Sequence, residues 1–157
     1  MRPSTAPHMA GFTLIELMVT VSVLAILAAL SAPSFRTLLT GLRVSSTAYA
    51  LVSDLSVARN EAVKRGVNVQ LSPNITSDWT QGWSVSIASP ATTIRQQGGS
   101  GNGVTFSSSP ASITFGADGR STSTTVSKFS LTNGSGKNVC VSLDPSGLPR
   151  SASRACS

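Results

Sequence analysis

Acidic residues are scarce in this chain: six Asp and Glu stand against twelve Lys and Arg, for a formal charge of +6. A domain that basic suits a polyanionic partner. The carboxylates, at Glu16, Asp54, Glu61, Asp78, Asp118 and Asp144, are scattered, with no paired spacing suited to a general acid and base. Histidine is scarcer still, with His8 alone. A catalytic Ser–His or Cys–His pair, or an ordinary zinc site, would have to depend on that one residue. The glycine-rich stretch "GGSGNG" lacks the lysine and following helix of a phosphate-binding loop, and reads as a loop between strands. There is no internal repeat, no second domain and no second long apolar run. No enzyme, cofactor or metal site is visible.

One apolar run is present, "GFTLIELMVTVSVLAILAALSAP". Residues 12–32 hold a single ionisable group, Glu16. A helix of that length spans roughly 30 Å, the thickness of the hydrocarbon layer. It is too long for an ordinary secretory signal. Its only early cation is Arg2, and its far end, Leu30-Ser31-Ala32-Pro33, offers a bulky leucine where a cleavage site needs a small residue. The segment is therefore expected to stay. Glu16 costs about 2.5–3.5 kcal/mol inside a bilayer on insertion scales, so it needs an explanation. Either it lies near the interface and reaches water, or a partner neutralises it. A cut between Gly11 and Phe12 would create such a partner, a positive amine on Phe12, in the same or a neighbouring chain.

Beyond Pro33, Phe35, Leu38, Leu42, Tyr49, Val52, Leu55 and Ala62 recur at helical intervals, with Arg36, Arg43, Ser46, Asp54 and Asn60 between them. This predicts an amphipathic helix to residue 65, continuous with the apolar segment through a proline bend. Lys64 and Arg65 suit its C-terminal dipole, and Gly66 its left-handed cap. A single helix over 12–65 would measure roughly 80 Å, so its first half must protrude. After Gly66 the period changes to two. Strands are predicted around Val67, Val69 and Leu71, around Trp83, Val85 and Ile87, and over 104–106, 113–115, 126–131 and 138–143. Turns are predicted at Ser72-Pro73-Asn74, across 98–103, and at Asp118-Gly119, Asn133-Gly134 and Pro145-Ser146-Gly147. The fold class is α+β.

The stretch Gly11-Phe12-Thr13-Leu14-Ile15-Glu16 resembles the type IV prepilin processing site. "LSVARNEAVKRGVNVQLS" and "DWTQGWSVSI" resemble the H-type pseudopilins and the FimT/FimU-type minor pilins, through Ala58, Arg59, Glu61, Ala62, Trp79, Gly82 and Trp83. In that family the Ala-Arg-x-Glu-Ala helix end is followed by a strand and a Trp-x-x-Gly-Trp turn. Trp83 and Ala62 are expected to pack, and Arg59 and Glu61 to lie on the surface or anchor strands. The resemblance, to type IV pilin-like proteins of the GspH/FimT family, implies a long helix packed on an antiparallel sheet. It implies a leader over 1–11, a membrane and assembly helix over 12–33 and a periplasmic domain over 34–157. A prepilin peptidase would cut after Gly11 and methylate Phe12, Glu16 would pair with the Phe12 amine during assembly, and Pro33 would kink the helix. His8 would be lost with the leader.

The implied function is structural: a subunit at or near the tip of a type IV pilus, anchored in the inner membrane by one pass, with other pilins as partners. The H-type pseudopilin of type II secretion is the alternative, and a membrane-anchored polyanion-binding module that never polymerises is a third. In an oxidising periplasm Cys140 and Cys156 would form a disulfide, closing a loop of about 17 residues for on the order of 3 kcal/mol. Competence pilins of this kind carry a Gly-Arg-x-Arg tail motif implicated in DNA binding. Here the stretch reads Gly147-Leu148-Pro149-Arg150, so Arg150 is carried over, Arg154 is a substitute, and Lys137 joins the late cluster of cations. The tail holds no aromatic residue to stack on bases.

Overall fold

The structure, a computed structural model, describes residues 12–156, with α1 (Leu14–Arg65) followed by eight strands. The described residues fall into two compact units divided between Arg36 and Thr37. In the first, α1 starts from Thr13, whose carbonyl accepts the Leu17 N–H at 3.2 Å. The span Leu14–Ser31 has a mean hydropathy of 2.3 and buries none of its length.

In the second unit, α1 turns one face inward: Val44, Ala48, Leu51, Leu55, Ala58 and Ala62 are all buried. Their alternating four- and three-residue spacing forms a narrow seam, and the three alanines let the helix lie close to the sheets. Each buried leucine contributes about 1.5–3 kcal/mol relative to exposure. This seam keeps Leu55 and Ala62 of the expected face, with Val52 half-buried beside it, and corrects the remainder. Leu38, Leu42 and Tyr49 are more than half exposed, whereas Asp54, expected among the solvated positions, is fully buried. Both sets of residues repeat at helical intervals. Which one faces the core depends on what lies opposite.

Gly66, at φ 67°, ends α1 in the left-handed conformation, with the N–H groups of Gly66 and Val67 both donating to the Ala62 carbonyl. The strands are β1 (Val69–Ile75), β2 (Asp78–Ile87), β3 (Thr92–Gln97), β4 (Thr105–Ser108), β5 (Ile113–Phe115), β6 (Ser127–Thr132), β7 (Asn138–Leu143) and β8 (Pro149–Ala152). They form two four-stranded sheets, ordered β3-β2-β1-β5 and β4-β6-β7-β8, and every pairing is antiparallel.

Four local expectations change. Ser72-Pro73-Asn74 is not a turn but the continuation of β1, with Pro73 opposite Trp83 and the hairpin closing at Ile75 opposite Asp78. Beyond Leu71, β5 no longer pairs with β1, so Pro73 sits where the strand has a neighbour on one side only, a place proline tolerates. The Trp-x-x-Gly-Trp stretch also lies inside a strand, β2, where Gly82 at φ 91° passes so close to the Gln97 carbonyl that a Cβ would meet it at 2.2 Å. Strands β3 and β8 were not expected. Both are outer strands with mostly exposed side chains, and an outer strand with little to bury shows no apolar alternation.

Trp79 of β2 joins the sheets. It meets Phe129 of β6 edge-on at 4.9 Å and Phe106 of β4 at 6.5 Å, and its indole N–H donates to the Pro110 carbonyl at 2.8 Å. Both sheets thus share one core with the seam of α1.

Candidate functional site

Two regions of the described structure bear on function. The first is the start of α1. Thr13 stands as its N-cap, and its Oγ1 accepts the backbone N–H of Glu16 at 3.3 Å. Thr13-x-x-Glu16 has the spacing of a capping box, a signal present in the sequence but masked by the processing motif that overlaps it. Glu16 is exposed in the first turn, where an anion suits the helix dipole, and among the described residues no cation pairs with it. Phe12 is 81% exposed. Gly11 and the rest of the expected leader, residues 1–11, lie outside the described residues. Pro33 falls within α1, which is continuous through it.

The second region is the outer face of the β4-β6-β7-β8 sheet. Register places Lys128 of β6 opposite Ser142 of β7, and Ser142 opposite Arg150 of β8, so the two cations lie in one cross-strand row. Alternation sends Phe129, Leu131, Val139, Val141 and Leu143 to the core and leaves this row outside. The tail then folds back over the sheet. Cys156 bonds to Cys140 of β7, with 5.0 Å between Cα atoms, and its sulfur rests 3.3 Å from the Phe129 carbonyl of β6. The expected disulfide is therefore formed.

The closure brings Arg154 to the same groove, of about 340 Å³, lined by Lys128, Asp144, Arg150, Arg154 and the disulfide. The Arg150 guanidinium reaches Asp144 at 3.7 Å while its side chain stays largely exposed. A groove with three cations and one carboxylate can hold an oxyanion or phosphate. Lys137 is not part of it. It follows the β6–β7 turn, packing beside Gly41 of α1, about five strand positions or roughly 17 Å along β7 from Ser142. Lys128 takes its place, a role visible only once the strand register is known.

Other polar positions serve the scaffold. Arg59 Nε donates to the Gly119 carbonyl at 3.0 Å, fastening α1 to the loop before β6, so this residue anchors as expected. Glu61 accepts from Arg65 Nε at 2.6 Å and lies 3.8 Å from Lys64. The hydrogen bond from Arg65 holds the Glu61 carboxyl below its usual range. Thr80 does the same for Asp78, through its hydroxyl and its backbone N–H. Asp54 holds helix and sheet together. Its Oδ2 accepts the Trp83 indole N–H at 2.8 Å, and Arg95 Nε approaches Oδ1 to 2.8 Å as an ion pair, without hydrogen-bond alignment. Among the described residues no group of three or more metal-ligating side chains converges.

Comparison with known proteins accounts for this arrangement. Residues 47–147, more than half of the chain, match the family model described as type II transport protein GspH, and residues 7–32 match that of the prokaryotic N-terminal methylation motif. The chain belongs to the GspH family. It is a type IV pilin-like protein, of a family of structural pilins and pseudopilins that assemble with other pilins into filaments. A crystal structure of the type IV minor pilin FimU of Pseudomonas aeruginosa superposes with a TM-score of 0.62 at 25% identity, covering 72% of this GspH-family chain and 92% of FimU. A second crystal form of FimU gives 0.60 at 24% identity, covering 71% and 96%. No curated protein matches. The long N-terminal helix followed by antiparallel sheets is the FimU fold, as expected from the sequence.

Proposed function

We propose that this chain is a minor pilin that inserts in the inner membrane through residues 12–33, with its β-rich domain in the periplasm, and enters a type IV pilus at or near the tip. There it helps prime assembly. A prepilin peptidase cuts between Gly11 and Phe12 and methylates Phe12, and the new amine neutralises Glu16 when subunits dock. Pro33 supplies the bend between the membrane half and the domain half of α1. The observation that carries this reading is the helix Leu14–Ser31, with a mean hydropathy of 2.3, unburied, and bearing in its first turn the carboxylate of Glu16, its one charged side chain. Such a surface needs lipid or other helices around it, and an unpaired charge penalises docking in a wrong register. Mass spectrometry of the mature chain tests the processing: a chain beginning at methylated Phe12 is expected, and an intact leader refutes it. Glu16→Ala should be processed and yet fail to enter fibres. Entry at wild-type levels refutes the pairing.

The C-terminal groove adds contact with DNA phosphates, in the uptake of DNA during natural transformation. Lys128, Arg150 and Arg154 support it, because neutralised phosphates release counterions and give salt-sensitive affinity independent of sequence. In gel shifts with duplex DNA at low salt, Arg150→Ala with Arg154→Ala should abolish binding. Absence of binding by the unaltered chain removes the DNA component and leaves the pilin role intact. The family model's own description favours a second reading, an H-type pseudopilin of type II secretion. Deletion of the gene separates the two: loss of pili supports the first reading, loss of secreted enzymes the second.

A further inference from the structure

The tail itself offers no aromatic side chain, but the fold brings one to it. Tyr49, the only tyrosine, stands on α1 with 68% of its surface exposed, among helix positions whose neighbours Ala48 and Leu51 are buried. It lines a small notch with Ser45, Val139, Ser151, Ala152 and Ser153. Ser151 and Ala152 also line the cationic groove on the other face of the sheet. A single strand, β8, therefore separates the notch from the groove. β8 is the outermost strand of its sheet, so among the described residues no strand is paired along its far side. The two sites lie on opposite faces, and packed layers stand about 10 Å apart. A nucleic-acid strand held in the groove would therefore pass around the edge of β8 and present to Tyr49 the base of a following nucleotide, not of the one whose phosphate is held.

We infer that Tyr49 is a stacking platform for a base of single-stranded nucleic acid whose backbone lies in the groove of Lys128, Arg150 and Arg154. The inference rests on the phosphate-binding reading of that groove. Its chemistry is direct. Every base has a π-face, so an exposed tyrosine ring binds bases with little sequence preference, while arginines hold the phosphates. Ser151 and Ser153 also line the notch and carry hydroxyls able to bond base edges, while the Ser45 hydroxyl donates to the Gly41 carbonyl. Duplex DNA keeps its bases stacked inside, and an abasic strand has none to offer. Only an unpaired base can use Tyr49, and the site should therefore prefer single strands.

The test uses the full chain in phosphatidylcholine nanodiscs, titrated by fluorescence anisotropy with three labelled ligands: oligothymidylate, an abasic strand of equal length, and a duplex. The unaltered chain should bind oligothymidylate more tightly than the abasic strand. Tyr49→Ala should weaken oligothymidylate binding at least about fivefold while leaving the abasic strand and duplex unchanged, and Tyr49→Phe should retain the preference. Equal binding of thymidylate and abasic strands by the unaltered chain, or a Tyr49→Ala variant as tight as wild type, overturns the stacking role while the phosphate groove stands. If none of the three ligands binds at low salt, the groove reading itself fails and the stacking role with it. Coincident melting of the variants and wild type, expected for so exposed a side chain, shows that folding is not the cause.

Discussion

Replacing Asp54 with alanine should destabilise the domain by about 2–3 kcal/mol, although the residue lies in a helix that the sequence pattern assigns to solvent at that position. The carboxylate is fully buried and meets two groups from the opposite sheet, the Trp83 indole N–H at 2.8 Å and Arg95 Nε at 2.8 Å. Alanine strands the indole donor of a side chain that is only 1% exposed, and a stranded buried donor costs about 1–3 kcal/mol. The Arg95 side chain is 47% exposed, so it returns to water and adds little. For a domain of this size 1 kcal/mol shifts the melting temperature by roughly 3–5 °C, which places the variant about 6–15 °C below wild type. Intrinsic fluorescence reads this directly, since Trp79 and Trp83 are both buried and are the only tryptophans. A double-mutant cycle with Trp83→Phe assigns the loss to the shared bond: the double variant should lose about 1–2 kcal/mol less than the sum of the singles. An Asp54→Ala protein melting within about 2 °C of wild type, or strictly additive losses, would refute the reasoning.

Replacing Cys140 and Cys156 together with serine should cost on the order of 3 kcal/mol by the loop-entropy model, read as a lower melting temperature, and should free the segment carrying Arg154 to proteolysis. Gly147→Ala should be among the most damaging single-methyl changes, because Gly147 has φ 81° and an added Cβ would stand 2.1 Å from the Gly119 carbonyl; loss of soluble, cooperatively melting protein is the expected result. The lowered carboxyls of Glu61 and Asp78 stabilise the fold once the unfolded chain is ionised, above its ordinary values of 4.5 and 3.8, and that contribution is lost as pH falls through the lower folded values. Melting temperatures should therefore drop below about pH 5, and Glu61→Gln with Asp78→Asn should flatten the drop.

The long helix, its glycine cap and most of the inner strands are legible from local pattern. Val69 and Leu71, Val85 and Ile87, or Val139, Val141 and Leu143 alternate because each strand has one face in the core. β3 and β8 escape the same reasoning because outer strands bury little. The orientation of α1 escapes it for another reason: the seam through Val44, Leu51 and Leu55 and the exposed row through Leu38, Leu42 and Tyr49 are both apolar, and only the sheets opposite decide between them.

By itself, then, the sequence settled what is local: an apolar helix with Glu16 in its first turn, an α+β order of elements, and two cysteines placed to close the tail. It could name cations but not neighbours. Strand register set Lys128 beside Arg150 and left Lys137 at the other end of β7, the disulfide carried Arg154 back over the sheet, and packing buried Asp54 against Trp83. These pairings join residues far apart along the chain. No pattern within a segment records them, because they come into being only when separate segments bury their apolar faces against one another.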